Sequence, residues 1–151
     1  MPEVIIRQAQ NHDIERMCDL LEQLYAIEAD FSFEREKQIQ GLTLLLQEYS
    51  RSRIFVAEIN QHVIAMCSVQ LVISTAEGGL SAWLEDVVVD AAHRQTGVAI
   101  ELLASVEQWC RDHRILRIQL LADEHNDLAQ KFYMQGQWQP TQLRAWRKIL
   151  S

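Results

Sequence analysis

The chain has 151 residues, of which 48% are hydrophobic and 23% charged, with a formal net charge of −7 at pH 7. This length and composition predict one globular domain over residues 1–151. The acidic balance argues against nucleic acid or an anionic membrane as the main partner and favours small cationic molecules. The uncharged stretch 61–76 is too short to span a bilayer.

Neither a signal peptide nor a metal site is indicated. The N-terminus lacks a basic segment followed by an apolar core, so we expect a cytoplasmic protein. Cys18, Cys67 and Cys110 lie far apart in apolar periodic segments, which favours buried reduced thiols over disulfides or zinc ligands. The five histidines are dispersed without the spacing of metal ligands, so we predict no metal.

In chain order, the hydrophobic pattern predicts the elements β-α-α-β-β-β-α-β-α-β-β. The predicted strands cover residues 4–7, 53–59, 63–73, 80–89 and 115–122, with one or two more over 138–150. The predicted helices begin after Asn11 or Asp13, pass through residues 39–49, run from Gly97 to about residue 112, and cover 127–135 before Gly136. The strand, helix, strand order between residues 81 and 122 implies a right-handed crossover joining two parallel strands. We therefore expect a mixed α/β fold with six to seven mostly antiparallel strands and about four helices on both faces.

Two adjacent acids, Glu85 and Asp86, interrupt an otherwise apolar strand. Side chains alternate along a strand, so these two are expected to point to opposite faces. They are either solvated at a strand end or part of a cleft. In the second case, partial burial raises the pKa of Glu85 into the range of a general base, while Asp86 attracts a cation.

The segment after this strand, Arg94-Gln95-Thr96-Gly97-Val98-Ala99, leads directly into a helix. The first-turn N–H groups of a helix lack intrahelical partners and carry the positive end of the dipole. The segment is therefore either an anion cradle or an ordinary helix start.

The last predicted helix places Asn126, Ala129 and Tyr133 on one face, since they are spaced i, i+3 and i+7. Asn126 is also a suitable N-cap. Tyr133 is either a packing residue with its hydroxyl at the edge or a neutral phenol that donates a proton to a leaving thiolate.

These segments carry a family resemblance. Arg94-x-x-Gly97-x-Ala99, preceded by an apolar strand and followed by a helix, resembles the acyl-CoA signature of the GNAT superfamily of N-acetyltransferases. The last helix resembles the superfamily's second conserved segment, through Asn126, Ala129, Phe132, Tyr133 and Gly136. Leu84-Glu85-Asp86 before a short apolar strand is further similar to its diamine and polyamine acetyltransferases.

The resemblance implies a GNAT-like sheet in which two parallel strands splay apart and admit the pantetheine arm of acetyl-CoA. Loop and first-turn amides would bind the diphosphate, Gly97 and Ala99 would leave room for it, and Val87 or Val88 would polarise the thioester carbonyl. The residues implied in coenzyme binding are Val87, Val88, Val89, Arg94, Gln95, Thr96, Gly97, Val98, Ala99, Asn126 and Phe132.

The resemblance also implies direct transfer of acetyl to a primary amine in a ternary complex. Tyr133 would protonate the departing thiolate and Glu85 would take a proton from the amine, directly or through water. Asp86, Glu28 and Phe31 would bind a small-molecule or peptide amine, with a small cationic amine favoured. A homodimer is implied by the same likeness.

In an alternative hypothesis, the protein binds acyl-CoA without catalysing acetyl transfer. In that case the protein is an acyl-CoA sensor, which coenzyme stabilises thermally but which transfers acetyl to no amine. The presence of both Glu85 and Tyr133 favours the enzyme.

Overall fold

The computed structural model describes residues 2–28 and 30–150. They form two compact units, one ending at Leu120 and the other beginning at Leu121. The elements of the first unit are β1 (Val4–Gln8), α1 (Ile14–Ile27), α2 (Arg35–Gln47), β2 (Ser52–Ile59), β3 (His62–Ser74), β4 (Gly79–Val89), α3 (Val98–Asp112) and β5 (Arg117–Leu120). Short 3-10 turns occur at Asn11–Asp13 and Ala91–His93, and the second unit contains α4 (Asp127–Gln135).

The described strands form a five-stranded sheet in the order β1-β2-β3-β4-β5. The first three pairings are antiparallel, and β4 pairs with β5 in parallel. The helix α3 connects these two parallel strands, which confirms the predicted crossover connection. The mixed, mostly antiparallel sheet is therefore confirmed.

Alternating side chains of β2 pack against helices on both faces of the sheet. Ile54 and Val56 belong to a buried cluster with α1 and α2. Phe55, which lies between them, makes an edge contact with the ring of Trp109 on α3, with 5.9 Å between centroids. The period of two in β2 thus places α1 and α2 on one face and α3 on the other.

Asp13 anchors the start of α1, but not as the predicted side-chain cap of that helix. Its carboxylate accepts hydrogen bonds from the Arg7 guanidinium at 2.8 and 2.9 Å and from the Gln10 backbone N–H at 2.8 Å. Burial alone would raise the pKa of Asp13, but these bonds hold it below its usual value. The charge-assisted, two-pronged contact with Arg7 is stronger than a neutral cap, which explains the orientation.

The prediction of six to seven strands is wrong, because five are present in the described chain. Residues 138–150, expected to form one or two strands, contain none. A strand has no internal hydrogen bonds and needs a partner strand, and the described part of the second unit offers only α4. Pro140 also lacks a backbone N–H. The predicted strand 115–122 is shortened to Arg117–Leu120.

The three cysteines are buried and free, as expected from their apolar surroundings. None of the helices among residues 2–28 and 30–150 has both the length and the apolar character needed to cross a membrane.

Replacement of Leu20 tests the packing of α1 on the sheet. Leu20 is fully buried, so Leu20→Ala should lower the free energy of unfolding by about 2–5 kcal/mol. Leu44 on α2 is 54% exposed, so Leu44→Ala should cost about 0.5 kcal/mol or less. Denaturant unfolding of both variants measures the difference; equal losses would contradict the packing described.

Candidate active site

The loop before α3 ends in a backbone suited to binding an anion. Gly97 has φ +87° and precedes the first helical residue, Val98. The N–H of Glu101 is the one that bonds back to the Gly97 carbonyl, at 3.1 Å, so the amides of residues 98–100 have no acceptor within the helix. A Cβ built on Gly97 would meet no atom within 4 Å. The space over these amides is therefore open on the glycine side, which fits a bound diphosphate.

Side chains of the loop hold it to the end of β4. The Nε of Arg94 donates to the Val89 carbonyl at 3.1 Å, and the Thr96 hydroxyl donates to the His93 carbonyl at 2.5 Å. Gln95 adopts φ +62°, so the backbone turns sharply here. Arg94 is thus bonded to the protein's own backbone and shapes the loop.

The parallel pairing of β4 stops before the strand ends. Residues 81–84 pair with β5, whereas residues 85–89 have no strand paired on that edge among the described strands. On the other edge, Val88 and Val89 pair with Met66 and Ala65 of β3. The free edge leaves main-chain donors and acceptors open to an extended ligand.

A β-bulge interrupts β4 at Asp86. Ser68 pairs with Glu85 and Met66 pairs with Val88, so Cys67 opposes two residues of β4. Asp86 adopts φ +56°, in the left-handed region. The extra residue breaks the alternation of side chains, and Glu85 and Asp86 line the same cleft. The regular alternation from which opposite faces were expected is therefore interrupted at Asp86.

The cleft has a volume of about 500 Å³ and lies between α1, α2 and strands β2, β3 and β4. Its polar lining includes Tyr25, Glu48, Arg51, Ser68, Glu85 and Asp86. The hydroxyl of Ser68 donates to the Glu85 carbonyl at 3.3 Å, beside the bulge. The size suits a small molecule.

Negative charge is concentrated around Tyr25, which lines this cleft. Burial raises the pKa of Asp86 to about 6, and the charges of Glu85 and Glu28 add to the shift. The pKa of Tyr25 is raised to about 12 by burial and then by Asp86, Glu28 and Glu85. The Phe31 ring lies 5.6 Å from that of Tyr25. The predicted acceptor residues are thus gathered around Tyr25.

The raised pKa expected at Glu85 is found instead at Asp86, which is half-buried, whereas Glu85 is exposed. The spacing of Tyr25 matches the apolar stripe of α1, so only the family resemblance, which implies an acceptor site over residues 25–33, points to it. Ser68 and Arg51 carried no sequence signal, since their place in the cleft depends on strand register.

The second unit presents the other predicted residues on α4. Asn126 caps this helix, since its Oδ1 accepts from the Ala129 N–H at 3.1 Å. The helix ends at Gly136, as predicted. Tyr133 is half-buried, and its ring makes edge contacts with Phe132 at 5.3 Å and Trp138 at 5.9 Å.

Cys67 does not have the environment of a nucleophile. It is fully buried, and burial, with Asp86 and Cys110, raises the pKa of its thiol. The part of the chain that the structure describes contains no group of three or more side chains able to hold a metal ion.

Comparison with known proteins agrees with this geometry. The model of the acetyltransferase (GNAT) family matches residues 14–137. The chain therefore belongs to the GNAT family of acetyltransferases. A search of curated proteins finds no match.

Solved structures show the same fold at low sequence identity. A possible acetyltransferase from Clostridium difficile 630 has a TM-score of 0.86 at 18% identity, covering 98% of this chain and 99% of that one. A predicted acetyltransferase from Clostridium acetobutylicum, solved with acetyl-CoA, has a TM-score of 0.77 at 19% identity, covering 98% and 96%. The aminoglycoside N-acetyltransferase AAC(6')-Iy, in complex with CoA, has a TM-score of 0.83 at 18% identity, covering 99% and 96%.

The burial of Asp86 predicts a pH-dependent effect on stability. Its folded pKa lies above the unfolded value, so the wild type loses stability as the pH rises from about 4 through about 6. The side chain of Asp86→Asn cannot ionise. The Tm of this variant minus that of wild type should therefore increase as the pH rises from about 4 to about 6, and should be constant below pH 4. Glu22→Gln, on an exposed position of α1, serves as the control for loss of a carboxylate. A Tm difference for Asp86→Asn that stays flat from pH 3.5 to 8 would contradict the assigned burial.

Proposed function

We propose that this protein transfers the acetyl group of acetyl-CoA to the primary amine of a small cationic molecule, directly and in a ternary complex. The observation that carries the proposal is the free edge of β4 at residues 85–89. It runs from the acidic cleft at one end to the loop of Gly97 at the other. An extended thioester ligand lying along it would have its reacting end beside the carboxylates.

The coenzyme is assigned to main-chain groups. The amides at the start of α3 and in the loop from Gln95 receive the diphosphate, and residues 87–89 pair with the pantetheine arm. The N–H of Val87 or Val88 polarises the thioester carbonyl, which is worth about 2.7–4 kcal/mol in comparable oxyanion sites. Asn126 and Phe132 are assigned to coenzyme binding from their place in the second motif. Two structural neighbours, solved with acetyl-CoA and with CoA, support a coenzyme of this class but do not identify the residues that bind it.

The acceptor is assigned to the cleft. Asp86 and Glu28 attract the cation, and the rings of Tyr25 and Phe31 contact its apolar stem. The similarity of Leu84-Glu85-Asp86 to diamine and polyamine acetyltransferases supports the same acceptor class. A neighbouring structure at 18% identity is an aminoglycoside acetyltransferase, which also acts on an amine-bearing small molecule.

Two side chains move protons in this proposal. Glu85 accepts a proton from the ammonium, directly or through water, so that the nitrogen can attack. The C–N bond forms as the C–S bond breaks, and the Tyr133 hydroxyl protonates the departing thiolate. The acetylated nitrogen then loses a second proton, and this proton restores the Tyr133 hydroxyl. One proton in total reaches solvent through Glu85.

The proposal places the enzyme in the cytoplasm as a homodimer. Three buried, unpaired cysteines are compatible with a reducing compartment. Sedimentation at micromolar concentration tests the dimer, and a monomer there would exclude it.

A screen of primary amines with mass detection tests the activity, and Tyr133→Phe tests the proton donor. On an amine that is acetylated, Tyr133→Phe should lower kcat about 100-fold, because the phenyl ring keeps the packing and loses the proton. Tyr49→Phe changes an exposed tyrosine and should leave the rate unchanged. An unaltered rate in Tyr133→Phe would remove that role. CoA-dependent thermal stabilisation without acetylation of any amine would favour the sensor.

Glu85→Gln tests the role of Glu85 as a base independently of coenzyme binding. This variant should lose at least about 100-fold in kcat at pH 7, and less as the pH approaches the pKa of the substrate amine, where free amine is abundant. Its affinity for CoA should equal that of wild type. Glu22→Gln serves as the control for removal of an exposed carboxylate. A rate loss in Glu85→Gln that persists unchanged at high pH would contradict the role of base.

A further inference from the structure

A side chain of α1 holds the point where the chain leaves β4 for the loop of Gly97. The Nε2 of Gln23 donates to Asp90 Oδ1 at 2.7 Å, and the Oε1 of Gln23 accepts from the Ala91 backbone N–H at 2.9 Å. One amide thus bonds the side chain of Asp90 and the main chain of the next residue. The residues joined are 67 and 68 positions apart in sequence.

Asp90 is the centre of a wider group of contacts. Arg16 Nη2 lies 3.5 Å from Asp90 Oδ1, and the Nε of Arg16 donates to the Val63 carbonyl at 2.8 Å. His93 Nδ1 lies 3.3 Å from Asp90 Oδ2. The hydrogen bond from Gln23 contributes most to a pKa of Asp90 below its usual value. Asp90 is therefore held as a carboxylate between α1 and the following turn.

This group is continuous with the loop that precedes α3. The turn Ala91–His93 begins at Asp90, and the His93 carbonyl accepts from the Thr96 hydroxyl next to Gly97. Arg94 bonds back to Val89. A displacement of the Asp90 corner would therefore be passed to the first amides of α3.

The same turn of α1 also forms part of the acceptor cleft. Leu21 and Tyr25, two residues before and after Gln23, line the cleft. Residues two apart on a helix lie on different sides. One turn of α1 thus contacts the cleft on one side and the Asp90 corner on the other.

We infer that Gln23 and Asp90 are positioning residues that fix the coenzyme loop to the helix wall of the acceptor cleft and so couple the two sites. The inference rests on the proposed function, which places the coenzyme at this loop. Because coupling between two binding sites is reciprocal, the contact makes coenzyme affinity depend on the position of α1 and acceptor affinity depend on the loop.

Gln23→Met keeps the length of the side chain and removes both hydrogen bonds. CoA binding to the full chain, measured by calorimetry, should weaken about tenfold, because one of the lost bonds has a charged acceptor. The KM for acetyl-CoA should rise by a similar factor, with a smaller change in kcat. Asp90→Asn keeps an acceptor oxygen for Gln23, so its loss should be smaller than that of Gln23→Met.

Gln108→Met is the matched control. Gln108 Nε2 donates to Asp112 Oδ1 at 2.9 Å on an exposed part of α3, so the same type of bond is lost away from the loop. Its CoA affinity should equal that of wild type. A Gln23→Met protein with a lowered Tm and unchanged CoA affinity would show a purely structural contact and overturn the inference.

Asp90→Asn keeps the test available if Gln23→Met does not fold. In that case, a CoA affinity and KM equal to wild type in Asp90→Asn would overturn the inference, and a weaker affinity would support it. Wild-type protein that binds no CoA would remove the proposed function and this inference together. Wild-type binding with no effect in either variant would remove the inference alone.

Discussion

The free edge of β4 at residues 85–89 is the constraint on which the site depends. Backbone N–H and C=O groups in a sheet must find partners, and β5 supplies them only as far as Leu84. Beyond that point Arg94 donates to the Val89 carbonyl, and the other groups on this edge are open to water or to a ligand with a strand-like arrangement of donors and acceptors. The edge points toward the loop of Gly97, where further amides lack intrahelical acceptors. Together these two segments, at the end of β4 and at the start of α3, form the row of main-chain groups that the proposal assigns to the coenzyme.

The bulge at Asp86 places two carboxylates at the cleft, next to this row of main-chain groups. A left-handed backbone at a residue other than glycine is uncommon, and aspartate is one of the residues that tolerates it. The extra residue in β4 brings Glu85 and Asp86 to the same cleft, and burial of Asp86 raises its pKa to about 6. The pair combines an exposed carboxylate with a partly desolvated one. In the proposed function, this pair attracts the cationic acceptor and takes a proton from it.

Local rules explain what the sequence allowed us to predict. The turn at Gly97, the cap at Asn126 and the end of α4 at Gly136 depend on neighbouring residues alone, and all three are observed. The bulge depends on the register between β3 and β4, which alternation along one strand does not contain. The spacing of Tyr25 along α1 is that of a core residue. Its place in the cleft depends on α2 and on strands β2, β3 and β4, which form the other walls. The absent strands over 138–150 show that β-rich composition is insufficient without a partner strand.

Hydrogen exchange with and without CoA tests most directly whether this row of main-chain groups binds the coenzyme. The account predicts that CoA slows exchange at the amides of residues 86–89 and 97–100. It predicts no change at β1, which lies at the far edge of the sheet. Slower exchange elsewhere, with these two segments unaffected by saturating CoA, would contradict it.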